Sequence, residues 1–333
     1  MCQEALTTMH GSSPLVAARP LLGGMAIDYL PRLLGLGDRD PTSATFGCFD
    51  RTYWHYRLLD VANARYQEAG LAMALAYQLE FDANPYRGRP IMIDWARAAV
   101  ECWVGNQHRD GSVHEVYPYE RSFCATSFST WATAETASRL ADEADWSFLA
   151  TPLARAARWL QANESPLVAN QRAAAALALI TVGQWLHDDD VVRAGAGVRR
   201  RLLESESPEG FFPEYGGGDI GYQSLTLSCL VQSALKTRQE PILGHESVAR
   251  AVAWLDQRVG PEGQCDIRGT SRGTQWLYPL ALVFCGCPAG TRLLDGLRAR
   301  RAISPAWLDD RYSIGLAIDY LLTASLPEDS PCS

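Results

Sequence analysis

The chain has 333 residues and a formal charge of −8, with 47% hydrophobic and 20% charged residues, enough for one large domain or two ordinary ones of unexceptional globular composition. The acidic balance and the lack of a Lys/Arg block argue against a nucleic-acid partner; Arg199-Arg200-Arg201 falls inside a helical pattern and reads as a solvated face. No stretch reaches the roughly 18 uninterrupted apolar residues of a membrane span, and the first residues lack a basic region followed by an apolar core, so the chain reads as cytoplasmic. Most of the nine cysteines, such as Cys102, Cys124, Cys229 and Cys285, sit in apolar helical runs and read as reduced core residues. The Cys285-Gly286-Cys287 pair has no matching second pair, so no metal site is expected.

In chain order, residues 1–19 read as an N-terminal extension and 20–35 as a short apolar helix. The segment FGCFDRTYWHY (46–56) then mixes Gly with aromatic and charged residues. The run 62–81 is rich in Ala, Leu, Gln and Glu, and 90–107 opens on a Pro suited to a first helical turn. The loop NQHRDGSVHEVYPYERS (106–122) leads to helices predicted at 122–141, 148–161, 167–186 and 190–204. SPEGFFPEYGGGDIGYQ (207–223) leads to helices at 222–236 and 245–258, and GPEGQCDIRGTSRGTQW (260–276) to helices at 272–285, 289–299 and 311–324. Residues 326–333 form a tail. The count is about twelve helices, with no convincing strand alternation.

Three of these helices end alike, in ARAAVECWVGNQ with Trp103, ARAARWLQAN with Trp159 and ARAVAWLDQR with Trp254. (D/E)-G turns recur at Asp110-Gly111, Glu209-Gly210 and Glu262-Gly263. Gly210 and Gly263 are 53 residues apart, the length of one helical hairpin with its loops. Six such hairpins close naturally into an (α/α)6 toroid spanning 20–325 as a single all-α domain. In a ring of hairpins consecutive connections alternate between two faces. The four mixed loops are all odd-numbered connections, so they are predicted to share one face and to wall one cleft.

Gln107-His108-Arg109-Asp110-Gly111-Ser112 and Ser207-Pro208-Glu209-Gly210-Phe211-Phe212 resemble the degenerate Q-x-x-D-G-S/G-x-F/W repeats of terpenoid-cyclase and prenyltransferase toroids. Comparable turns occur in carbohydrate-active toroids: polysaccharide lyases, glycoside hydrolases and uronate epimerases. The resemblance implies the toroid fold rather than one chemistry. The chain departs from the cyclases in having no Asp-x-Asp-Asp acid and no Asp-rich metal motif. Its one Asp run, Asp188-Asp189-Asp190, begins a helix on the opposite face and reads as a cap.

The densest candidate segment holds His114, Glu115, Tyr117, Tyr119, Glu120 and Arg121 just ahead of an inner helix, whose N-terminus favours anions. A second is Glu214-Tyr215-Gly216-Gly217-Gly218-Asp219 with Tyr222 and Gln223. Its three glycines allow close backbone approach, but the run lacks the ending of a phosphate loop. Asp50, Arg51, Tyr53 and Trp54 offer an Asp–Arg pair with flat rings, and Arg268, Arg272 and Gln275 complete the set, arginine being suited to carboxylates. Catalytic roles are expected for His114, Glu115, Tyr117, Tyr119, Glu214 and Tyr222. Substrate contacts are expected from Asp50, Arg51, Tyr53, Trp54, Arg121, Tyr215, Asp219, Gln223, Arg268, Arg272 and Gln275.

That inventory suits acid–base chemistry on an acidic, uronic-type sugar by elimination or C5 epimerisation, with Tyr or His moving the proton and Arg121 or Arg272 neutralising a carboxylate. Hydrolysis by paired carboxylates, such as Glu115 with Glu214 or Asp219, remains open, as do an isoprenoid cyclase and a non-catalytic glycan- or protein-binding toroid. The partner expected is a carbohydrate or other small molecule, with no cofactor and no metal.

Overall fold

The computed structural model describes residues 14–238 and 244–327. Residues 1–13 of the expected extension, 239–243 and the tail from 328 lie outside them. Among the described residues thirteen α-helices follow one another: α1 (Pro14–Leu36), α2 (Arg51–Trp54), α3 (Ala69–Gln78), α4 (Pro90–Gly105), α5 (Phe123–Arg139), α6 (Ala150–Ala162), α7 (Ala169–Leu186), α8 (Asp189–Leu203), α9 (Ile220–Thr237), α10 (Glu246–Asp256), α11 (Pro279–Phe284), α12 (Pro288–Arg298) and α13 (Asp310–Ala324). Only isolated β-bridges occur among the described residues.

Helices α3, α5, α7, α9, α11 and α13 pack each against the next, and α13 packs back on α3, closing an inner ring. Helices α1, α4, α6, α8, α10 and α12 form the outer layer. The fold is an (α/α)6 toroid. Its sequence logic is visible in burial: α7 (ANQRAAAALALITVGQWL) is apolar nearly all round and buried on most of its surface, whereas α8 buries Val191, Val198, Leu202 and Leu203 and exposes Arg193 and Arg200.

The recurring turns have a packing reason. Gly111 has φ +101°, and a Cβ there would lie 2.4 Å from the carbonyl of Arg155 on α6, the next outer helix. Gly47, Gly210 and Gly263 meet Ala98, Arg250 and Arg292 in the same way. The repeated ARA segments therefore mark where three of the four turns, those of Gly47, Gly111 and Gly210, dock on their neighbours, a close approach open only to glycine. Trp103 of the repeat is fully buried, its indole N–H donating to Ser129 Oγ at 2.8 Å.

Boundaries differ from the sequence reading, and the helix expected over 62–81 is a 3-10 segment at Ala64–Glu68 followed by α3, which ends at Gln78. α1 begins at Pro14 rather than 20 and carries Pro20 and Pro31 within it. The aromatic loop at 46–56 contains the short helix α2, capped by Asp50. The expected helix over 272–285 is helical only from Pro279, because a proline disfavours the helical region for the residue before it, and Tyr278 is accordingly extended (φ −84°, ψ 112°).

Candidate functional site

Every inner helix is entered from an outer one by a connection on the same face, and a cavity of about 160 Å³ opens there. All six hairpins contribute to its lining, with Arg65, Glu115, Asn170, Glu214, Arg272 and Arg311 each drawn from a different one, and with Tyr215, Tyr222, Tyr278 and Tyr312. Arg65 lies just before α3, and Cys124, Asn170, Tyr222 and Arg311 lie in the first turns of α5, α7, α9 and α13. The positive ends of these long helices thus face one space, which favours an anionic ligand.

Glu214 is held by an extended segment pinned to the entry of α7. The N–H of Ala169 donates to Pro213 O at 3.0 Å, and that of Tyr215 to Leu167 O at 2.9 Å. Of the three glycines that follow, Gly218 lets the backbone pass other protein groups, since a Cβ there would lie 2.7 Å from Trp254 and 2.8 Å from Phe211, while Gly216 supplies a φ of +85°. Glu214 is 2% exposed. Asn170 Nδ2 donates to its Oε2 at 2.8 Å, while Oε1 has no hydrogen-bond partner and has Arg272 at 4.0 Å. Burial pushes its carboxyl up to about 7, only partly opposed by Asn170 and Arg272.

Across the cavity, the hydroxyls of Tyr222 and Tyr312 lie 3.2 Å apart. The Arg272 guanidinium sits over the rings of Tyr215 at 4.9 Å and Tyr222 at 5.2 Å. Burial, then the bond to Tyr312, raise the Tyr222 hydroxyl above the usual tyrosine value, so it is held protonated. Arg311 donates to Glu115 Oε1 at 2.8 Å and to the Tyr312 hydroxyl, and Ser122, which caps α5, donates to Glu115 Oε2 at 2.7 Å. At the floor, Arg65 forms an ion pair with Glu68 and lies over the Phe128 ring at 4.1 Å. Burial works against the Arg65 charge, but Glu68 keeps the guanidinium ionised. Burial also pushes the Cys124 thiol up to about 12, which leaves it un-ionised and a poor nucleophile.

Of the residues singled out from sequence, Glu115, Glu214, Tyr215, Tyr222 and Arg272 line this cavity. Asp50 does not: it is fully buried, caps α2 and accepts the Asn63 N–H at 2.9 Å. Arg51 donates to Gly35 O and Trp54 to Leu36 O, which fastens both to the end of α1, and the half-buried Tyr53 lies beside them on α2. His114 packs edge-on against His108, ring centroids 4.2 Å apart, behind the loop that carries Glu115. Burial, then His108, lower its pKa. Tyr117 and Tyr119 are 68% and 86% exposed and do not line the cavity. Their loop is shaped by the Glu120 carboxylate, which accepts the N–H groups of Glu115, Val116 and Tyr117. Arg121 pairs with Asp110 at 2.6 Å in solvent, and Arg268 pairs with Asp266. Asp219 caps α9 and binds the Thr274 N–H, Gln223 ties down Phe212 and Gly210, and Gln275 is exposed.

Arg65, Asn170, Gln171, Tyr278, Arg311 and Tyr312 were not singled out from sequence, although they line the cavity. The alternation of connections reaches four of them: 163–168 and 299–309 are also outer-to-inner connections, and Asn170-Gln171 and Arg311-Tyr312 follow them directly.

No family model and no curated protein matches the chain. Among solved structures it is similar to a Paenibacillus xanthan lyase, with a TM-score of 0.55 and 15% identity over 96% of this chain. The chain spans 31% of that lyase's length. The likeness shows a shared helical toroid. No helix among the described residues is long and apolar enough to cross a membrane, and no group of three or more His, Cys, Asp or Glu side chains among them is placed to hold a metal ion.

Proposed function

We propose that the chain is a carbohydrate-active enzyme that moves a proton beside the carboxylate of a uronic-type sugar, by elimination or C5 epimerisation. The observation that carries this reading is the convergence on one cavity of the Tyr222–Tyr312 hydroxyl pair, Arg272 and the Glu214 oxygen that accepts no hydrogen bond. Arg272 binds the sugar carboxylate and stabilises the charge that develops on it. Glu214, whose pKa near 7 leaves it part-ionised at neutral pH, takes the C5 proton. In elimination the C5–H electron pair forms the C4–C5 double bond as the C4–O bond breaks, and Tyr222 gives its proton to the departing oxygen. In epimerisation Glu214 keeps the abstracted proton and Tyr222 gives its own to C5 from the opposite face, both groups re-equilibrating with solvent between turnovers. The likeness to a lyase supports a toroid of this kind, and the charged, polar lining suits a sugar better than an isoprenoid chain.

A specific observation also favours hydrolysis. The raised carboxyl of Glu214 shares the cavity with Glu115, which Arg311 and Ser122 hold by charge-assisted bonds. An acid of raised pKa facing a fixed carboxylate is what glycosidic hydrolysis uses. Incubation with a panel of uronic oligosaccharides separates the three chemistries. Elimination creates a conjugated product that absorbs in the ultraviolet. Epimerisation exchanges the C5 hydrogen with solvent deuterium without cleavage. Hydrolysis creates reducing ends with neither signal, and that outcome would replace the proton-abstraction reading.

A further inference from the structure

The cavity is walled on nearly every side by links between separate hairpins, and these bear on which part of a saccharide enters it. Between the third and fourth hairpins the wall is closed by the Val168–Glu214 bridge and the Asn170–Glu214 hydrogen bond. Between the fourth and fifth, Ser271 N–H donates to Gly218 O at 3.0 Å, Thr274 N–H to Asp219 at 3.1 Å, and Arg272 covers Tyr215 and Tyr222. The fifth and sixth meet through the Trp276 and Tyr312 rings, 5.2 Å between centroids. Arg311 reaches from the sixth to Glu115 of the second, passing over the first, and Ala64 N–H of the first donates to His114 O of the second at 3.1 Å. The floor is Arg65 with Glu68 and Tyr278, beneath which Phe128, Trp131, Leu225, Ile318 and Leu322 leave only about 20 Å³.

A polymer bound through its middle must enter and leave, which requires a groove open at two opposite ends. With the Phe123 and Trp159 rings 6.1 Å apart between the second and third hairpins, this ring of links makes a blind pocket instead. Its volume of about 160 Å³ is also below the roughly 300–1,000 Å³ of pockets that enclose drug-sized ligands, so it suits one small unit and not several consecutive sugars.

We infer that the enzyme acts at chain ends, taking one terminal anionic sugar unit end-on into the pocket, with the rest of the saccharide leaving through the mouth. This rests on the proposed carbohydrate chemistry. Under elimination the inserted unit is the reducing-end uronate, because its O4 carries the departing chain and must point outward. Outside the pocket, that chain meets the exposed side chains of Leu167, Tyr117 and Tyr119 on the same face.

Two measurements test this, one of which needs no turnover. Calorimetric titration with galacturonate and glucuronate oligosaccharides of one to about six units should give one protein bound per chain, with affinity nearly independent of length beyond two units. A bulky fluorescent cap at the reducing end should abolish binding, and the same cap at the other end should leave it intact. Stoichiometry that grows with chain length, or binding indifferent to both caps, overturns end-on insertion. In the second measurement, product sizes are followed in time. Single units accumulating from the first minutes with no mid-sized fragments support the inference, whereas early mid-sized fragments overturn it and leave the acid–base chemistry standing. If only the non-reducing-end cap blocks binding, end-on insertion stands and the elimination reading falls. If no uronic oligosaccharide binds, the carbohydrate reading falls and the inference falls with it.

Discussion

Replacing Glu214 by Gln should make the protein more stable at alkaline pH while disabling it. The Glu214 carboxyl is 2% exposed, and burial carries it from an ordinary value of 4.5 to about 7. A group with a raised folded-state pKa contributes stability that is complete below its unfolded value and is lost as pH rises through the folded one. Glu214 therefore costs nothing near pH 4 and, at 1.36 kcal/mol per pKa unit, about 3 kcal/mol once it is ionised in the fold above about pH 8. Glutamine keeps an oxygen to accept from Asn170 Nδ2 and removes the charge. Urea denaturation of both proteins between about pH 4 and pH 9 should show stability curves that nearly coincide at the acidic end and separate through pH 5–7, with Glu214→Gln the more stable by about 3 kcal/mol at the alkaline end. Turnover on the substrate should fall by about 10²–10⁴, the usual contribution of a positioned proton-transfer group. Curves offset by a constant amount at every pH would show that Glu214 titrates as a solvated carboxylate, and its proton-transfer role would go with that.

Tyr222→Phe should lower kcat by about 10²–10⁴ with little change in KM, because it removes a proton donor and leaves the ring beneath Arg272 in place; steady-state kinetics decides, and near-normal kcat would reassign the acid. Arg272→Ala should chiefly raise KM for charged sugars, and assays on carboxyl-reduced saccharides should show little further loss if the guanidinium reads the carboxylate. Gly111→Ala should cost on the order of 1–3 kcal/mol or more in denaturant unfolding, since φ +101° and a contact of 2.4 Å to the Arg155 carbonyl leave no room for a methyl group. An unchanged midpoint there would mean that the turn-to-helix docking carries no stability.

Helical periodicity, the ARA and Trp endings and the (D/E)-G turns are local features, so the sequence by itself determined an all-helical ring and which of its faces bears the mixed loops. The alternation of connections follows from chain connectivity alone, and for the same reason it already pointed to Glu115, Glu214, Tyr215, Tyr222 and Arg272. What composition could not separate was the direction in which each loop side chain points. Tyr117 and Tyr119 lie as close in sequence to Glu115 as any catalytic pair would, yet Glu120 gathers the backbone of their loop and leaves them in solvent. Asp50 and Asp219 look like acids in sequence and serve as helix caps in the fold. Conversely, Asn170, Arg311 and Tyr312 stand in ordinary helical stretches and matter only because α7 and α13 begin at the same cavity as α9. Tertiary structure alone decided these, because the Asn170–Glu214 bond, the Tyr222–Tyr312 pair and the Arg311–Glu115 link each join separate hairpins. Desolvation and close approach of that kind arise only when the ring closes.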